Sequence, residues 1–251
     1  MAQLSNKIAI VTGAAGGFGA GIAQAYVAEG AKVIVADING AGALEVATAL
    51  GAHASPFTCD VSIRAQVDAL VAHCVATFGI PDIVVNNAGT THRNQPMLQV
   101  DEATFDRVFN VNVKSIFHMT HAVLPLLRQR GTGGVMLNIG STAGIRPRPG
   151  LSWYNASKGA VNLLSKSMAV ELGPEKIRVN AICPVMGVTG LFEQFMGAPD
   201  TPENRAKFVS TIPIGRFSEP RDIAAACVFL ASDAAEFMTG IEFPVDGGRT
   251  I

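Results

Sequence analysis

The sequence predicts a doubly wound α/β fold, a mainly parallel seven-stranded sheet with helices on both faces. Three observations carry that expectation. Short apolar, β-branched runs alternate with helix-length segments to the end of the chain. A glycine-rich turn follows the first apolar run at once. The chain has 251 residues, 49% of them hydrophobic, enough to bury a large core.

Strands are expected at 7–12, 32–36, 54–59, 82–86, 134–140, 177–183 and 241–245, with helices between them. The first helix ends at Gly30, which suits a C-cap, and the longest helices are expected near 103–130 and 153–172. Leu172-Gly-Pro174 stops the second of these, because glycine and proline both oppose helix continuation. No repeat or low-complexity tract divides the chain, so residues 1–251 read as one domain. The irregular stretch is 187–214. It holds Gly190, Gly197, Pro199, Pro202 and Pro213 among Leu191, Phe192, Phe195 and Met196, as suits a mobile lid.

The first strand leads into Thr12-Gly-Ala-Ala-Gly-Gly-Phe-Gly19. Gly13 permits a tight turn there. Gly16, Gly17 and Gly19 let backbone N–H groups and a helix N-terminus approach a pyrophosphate, with Phe18 among them. Strand, glycine loop, helix and strand form one βαβ unit, the context a dinucleotide site requires. Asp37 closes the second strand, with Ile38 after it. A carboxylate there accepts hydrogen bonds from a ribose and repels a 2′-phosphate, which favours NAD over NADP.

A second constellation is Tyr154 and Lys158, in Ser152-Trp-Tyr-Asn-Ala-Ser-Lys158. The i,i+4 spacing sets both on one helix face. An ammonium beside a phenol is expected to lower the phenol pKa and so make Tyr154 a general acid/base near neutral pH.

With these motifs the chain resembles the short-chain dehydrogenases/reductases over nearly its whole length. Thr12, Gly13, Gly17 and Gly19 match the family's glycine motif, and Asp60 and Val61 match its adenine contact. Asn86-Asn87-Ala88-Gly89 matches the motif after the fourth strand. Asn112, Ser141, Tyr154 and Lys158 match the catalytic residues, and Asp246-Gly-Gly248 fits the C-terminal pattern. The resemblance implies a Rossmann-type domain. Tyr154 would be the acid/base and Ser141 a hydrogen-bond donor to the substrate oxygen. Lys158 would hold the nicotinamide ribose, and Asn112 would support a proton-relaying water. Many members read Pro-Gly after the sixth strand. Here the run is Pro184-Val-Met-Gly-Val-Thr189, the glycine two positions late, and Pro184 and Thr189 are carried over as cofactor contacts.

The pocket is expected to draw on the loops after Gly89 and Ser141, the flanks of Tyr154 and the lid. His92, Arg93, Arg146 and Arg148 collect there, in a chain poor in charge. Arginine forks bind oxyanions, so Arg93 or Arg148 points to an anionic or polyhydroxylated substrate. Phe192, Phe195, Trp153 and Met196 point to a ring or alkyl group.

A formal net charge of −1 gives no bulk attraction to nucleic acid or acidic membranes. No apolar run reaches membrane-spanning length. The opening residues mimic a leader, but they are glycine-rich and carry only Lys7, so a cytoplasmic protein is expected. The four cysteines form no C-x-x-C pair and read as buried thiols, and the five histidines show no metal-ligand pattern. The leading expectation is an NAD-dependent oxidoreductase interconverting a secondary alcohol and its ketone. The family resemblance implies a homotetramer. Two rivals stand beside it: an NADPH-dependent 3-oxoacyl-carrier-protein ketoreductase, against which Asp37 counts, and a non-catalytic dinucleotide-binding protein.

Overall fold

The computed structural model describes residues 2–187 and 192–251. In chain order the elements are β1 (Ile8–Thr12), α1 (Gly17–Ala28), β2 (Lys32–Asp37), α2 (Gly40–Leu50), β3 (Ala54–Thr58), α3 (Arg64–Thr77) and β4 (Ile83–Asn86). There follow α4 (Glu102–Phe109), α5 (Ser115–Arg130), β5 (Gly134–Ile139), α6 (Ser152–Leu172), β6 (Ile177–Pro184), α7 (Phe192–Met196), α8 (Pro202–Val209), α9 (Pro220–Ala231) and β7 (Glu242–Val245).

The seven strands form one sheet in the order β3-β2-β1-β4-β5-β6-β7, and every neighbouring pair is parallel. Successive side chains of a strand point to opposite faces. Ala9, Val11, Val33, Val35, Val85 and Leu137 therefore enter one core, against Ile22 and Tyr26 of α1 and Ile223 and Leu230 of α9. Ile10, Ile34, Val84, Met136 and Val179 enter the other, against Leu70 of α3, Met119 and Val123 of α5 and Val161 of α6. Burial on both faces is why these strands read as continuous apolar runs rather than alternating ones.

From β1 the chain builds outward to β2 and β3, then returns across the sheet to β4 on the other side of β1. The connections leaving β1 and β4 diverge, and that divergence opens a crevice at the strands' C-terminal ends.

The segment 103–130, expected as one helix, is helical throughout, with a π turn, Asn110–Lys114, set between α4 and α5. A π turn adds a residue without leaving helical dihedrals, so the apolar pattern runs on through it and conceals it. Beyond β6, the described part of 187–214 holds α7 and α8. Thr189 falls in 188–191, outside the described residues.

Candidate active site

The glycine loop is shaped by its neighbours. Gly13 and Gly17 sit at φ +65° and +54°, where a side chain is strained. A Cβ on Gly13 would lie 2.8 Å from Ala88 Cα, and one on Gly19 would strike the Gly13 carbonyl, whereas one on Gly16 would meet no protein atom. The turn after β4 holds this loop. The Asn87 amide donates to the carbonyls of Thr12 (2.8 Å) and Gly13 (3.0 Å). The Thr12 hydroxyl accepts from the N–H groups of Asn87 and Ala88, both at 3.1 Å.

Asp37 lies at the mouth of the same crevice. Its two carboxylate oxygens accept one backbone N–H each, from Ala15 and Asn39, both at 2.9 Å. Each oxygen keeps a lone pair for a further donor. Asp60 turns the chain after β3 by accepting from the N–H (2.9 Å) and hydroxyl (2.7 Å) of Ser62. Ile38, next in sequence to Asp37, is 69% exposed and lends the crevice an apolar surface.

The late glycine has a structural reason. A Cβ on Gly187 would come within 2.7 Å of the Phe18 ring and 2.9 Å of the Ser218 carbonyl. The glycine loop and the strand-end bridge Gly187↔Ser218 meet at this point, and only a bare backbone fits between them.

The crevice encloses about 1230 Å³. Gly13, Gly16, Gly17, Phe18 and Gly19 line it together with Asp37, Ile38, Asp60 and Val61. Asn87, Ala88 and Gly89 continue the wall, followed by Ser141, Tyr154, Lys158 and Pro184. Asn112 stands behind it. Its amide donates to the Thr90 carbonyl and the Ser157 hydroxyl, both at 2.9 Å, and its oxygen accepts from Thr90 N–H at 2.8 Å. The π turn thus ties the loop after β4 to the first turns of α6.

Ser141 follows β5 and accepts the Ala143 N–H at 3.0 Å, which leaves its hydroxyl proton free to donate elsewhere. Burial pushes the Tyr154 phenol up to about 12, while the Ser141 hydroxyl and the Arg148 charge pull the other way. Lys158 is not the group that counters that rise. Its ammonium donates to the Ile139 carbonyl at 2.8 Å, and burial lowers it to about 8. The lowered phenol expected from spacing is therefore absent in the chain by itself, because burial of the phenol outweighs its neighbours.

Of the residues expected to meet a substrate, the structure places Arg148 and Phe195 on the wall, with the Phe195 ring 5.0 Å from that of Tyr154. His92, Arg93 and Phe192 are not on it. His92 is buried behind Tyr154, its Nε2 accepting the Tyr154 N–H at 3.4 Å. Arg93 points to solvent from the next position. Phe192 is buried against Phe217, and of the five α7 residues Phe195 alone lines the crevice. Trp153 is turned away too, its N–H on the Met97 carbonyl at 3.3 Å.

Sequence reasoning missed Arg249, Thr250 and Phe208, all on the wall. The signal was Asp246-Gly-Gly248. Gly247 and Gly248 take φ +61° and +85°, and the Asp246 carboxylate accepts from Gly248 N–H (2.9 Å) and Thr250 N–H (2.8 Å). This turn folds the C-terminal tail back over the crevice.

A family model described as enoyl-(acyl carrier protein) reductase matches residues 13–250. The chain is 50% identical to 4-formylbenzenesulfonate dehydrogenase of Comamonas testosteroni, covering 99% of this chain and 100% of that one. It is 40% identical to galactitol 2-dehydrogenase of Agrobacterium fabrum, covering 98% of each. The crystal structure of 3-ketoacyl-(acyl-carrier-protein) reductase from Brucella melitensis complexed with NADH superposes with a TM-score of 0.93. That protein is 43% identical, with 99% of this chain and 100% of the other covered. The chain belongs to the short-chain dehydrogenase/reductase family, and with it to the oxidoreductases that use nicotinamide dinucleotides.

Proposed function

We propose that this chain is an NAD-dependent dehydrogenase interconverting a small alcohol, a secondary alcohol above all, and its carbonyl compound, with Tyr154 as the acid/base. One observation carries the reading: Ser141, Tyr154 and Lys158 share one crevice with the glycine loop and Asp37. A dinucleotide suits that crevice, because the positions where a Cβ would clash are those that bring backbone close to its floor. A bound nicotinamide would supply or accept the hydride.

The remaining work falls to this chain's own groups. A carbonyl oxygen between Ser141 and Tyr154 would meet two donors aimed where negative charge develops. A phenol raised to about 12 is protonated at neutral pH, the form that donates as the carbonyl becomes an alcohol. Oxidation is the reverse and needs the phenolate. Two N–H groups of the Lys158 ammonium remain beyond the one on Ile139 and would hold ribose hydroxyls. Asn112, engaged on both sides, would keep the π turn open so that a main-chain carbonyl there holds a relaying water. Asp37 selects NAD by holding ribose hydroxyls and repelling a 2′-phosphate. A formyl compound and galactitol, named as the substrates of two relatives, both react at a carbon–oxygen bond, the bond this site addresses.

The same reading takes residues 1–251 as one domain, with 187–214 as the lid over the substrate, and places the enzyme in the cytoplasm. Among the described residues no helix is long and apolar enough to cross a membrane. A homotetramer is supported by apolar residues left exposed on neighbouring helices, Phe117 on α5 and Leu163 and Val170 on α6. Sedimentation velocity should give a species of four chains; a monomer at micromolar concentration would remove this part.

The carrier-linked ketoreductase is the second reading, favoured by the close superposition on one such enzyme. Assays of NAD and NADP, each against free alcohols and with 3-oxoacyl thioesters in reverse, separate the two. Turnover of a free alcohol with NAD is expected. Turnover confined to NADPH and the thioester would overturn both the Asp37 argument and the leading function.

A further inference from the structure

The crevice wall carries the acids Asp37, Asp60 and Asp106, with Arg107 beside the last and engaged on Thr90 and Thr91, and three further arginines, Arg146, Arg148 and Arg249. Among the described residues none of these arginines forms an ion pair within 4.0 Å. Among the described residues nine pairs occupy charged side chains elsewhere, and the acid nearest Arg249, Asp246, spends its carboxylate on the N–H groups of Gly248 and Thr250.

The arrangement is built rather than incidental. The guanidinium carbons of Arg148 and Arg249 lie 4.9 Å and 5.8 Å from the centre of the same ring, Phe208 of α8. Each main chain is pinned. The Arg148 carbonyl accepts from the Asn155 amide at 2.8 Å, and the Arg249 carbonyl accepts from Arg146 at 2.7 Å. Among the described residues Arg148 donates only through one nitrogen, to the Phe195 carbonyl at 3.3 Å and the Met196 sulfur at 3.6 Å. The Arg249 guanidinium donates no hydrogen bond to any described residue. Half-buried like charges repel and want for acceptors, and an oxyanion supplies both remedies at once. Arg148 is pushed down by burial first and by Arg249 next, as that strain requires.

We propose that Arg148 and Arg249 form an anion subsite within the crevice, and that the substrate carries a carboxylate or sulfonate on a flat apolar spacer. The spacer follows from the wall between the arginines and the reactive hydroxyls: Leu151, Ala143 and Tyr154 pack as one apolar cluster with Phe195 against it. The two arginines are half-buried and line the same crevice as Tyr154, so a small molecule held there reaches both. The proposal rests on the dehydrogenase reading for the identity of the reacting end, and on the arginines alone for the charged end.

The test titrates benzoate, benzenesulfonate and benzamide into the full chain, with and without NADH, by calorimetry. Both anions should bind at least about tenfold more tightly than the neutral amide, the range a charge-assisted fork provides. Arg249→Met and Arg148→Met should each reduce that ratio, and Arg249→Lys should restore part of it. Equal binding of amide and anion, or a preference that survives both methionine variants, would overturn the proposal. Should a variant fail to fold, the wild-type ratio and the lysine variant still decide it. NADH binding followed by its own fluorescence is read separately. A chain that binds benzoate but neither NADH nor any alcohol would sink the dehydrogenase reading and leave the subsite standing.

Discussion

Lys158 shows how the site opposes stability. Burial lowers its ammonium from the usual 10.5 to about 8. Below pH 8 it is charged in both folded and unfolded states, and the folded state carries the full cost of burying the charge. Between pH 8 and 10.5 the folded chain binds fewer protons than the unfolded one, so this group's contribution to stability rises with pH. Lys158→Met should therefore be more stable than the wild type at pH 7, by about 1–3 kcal/mol after loss of the Ile139 hydrogen bond is discounted. The advantage should shrink as pH rises past 8. Denaturant melts of both proteins at pH 7 and pH 10 check this, and a variant less stable at pH 7 would contradict it. The same burial holds the Tyr154 proton more firmly, the form the proposed reduction calls for.

At the scale of elements, the turn after β4 and the strand end after β6 grip the glycine loop from two sides. Asn87 reaches its carbonyls, and Gly187 gives the Phe18 ring room. Gly187→Val would press its side chain into that ring and into the Ser218 carbonyl. Overpacking of this kind costs about 1–3 kcal/mol, and the strain should also raise the KM for the dinucleotide. A melting temperature and dinucleotide KM equal to the wild type would show that the loop has slack there. The π turn between α4 and α5 has a comparable role. It widens the helix where Asn112 has to reach both Thr90 and Ser157.

Across the whole molecule, the features legible in sequence are those that repeat along the chain. Ile8–Thr12, Lys32–Asp37 and Ile177–Pro184 are buried on both faces, so their apolar runs announce strands within a residue or two of their ends. Ser141, Tyr154 and Lys158 could be named because each sits in a short local motif. Four features could not be read. The π turn keeps the helical apolar period, so nothing marks it. His92 and Phe192 look like pocket residues by position, yet one turn of local geometry directs each into the core. The Tyr154 phenol depends on burial, which spacing does not reveal. Arg249 reaches the crevice only because Asp246 and two positive-φ glycines reverse the tail, a contact between the last residues and a loop some hundred positions earlier.

Under the proposed function Tyr154 exchanges a proton in the same crevice that takes the dinucleotide. The most direct measurement compares the wild type and Tyr154→Phe in single turnover from an alcohol to NADH, with NADH binding measured on the same samples. NADH affinity should stay within about tenfold of the wild type while the rate falls by about 10²–10⁴-fold, the usual worth of a general acid/base. A Tyr154→Phe enzyme that bound NADH and turned over at the wild-type rate would contradict it.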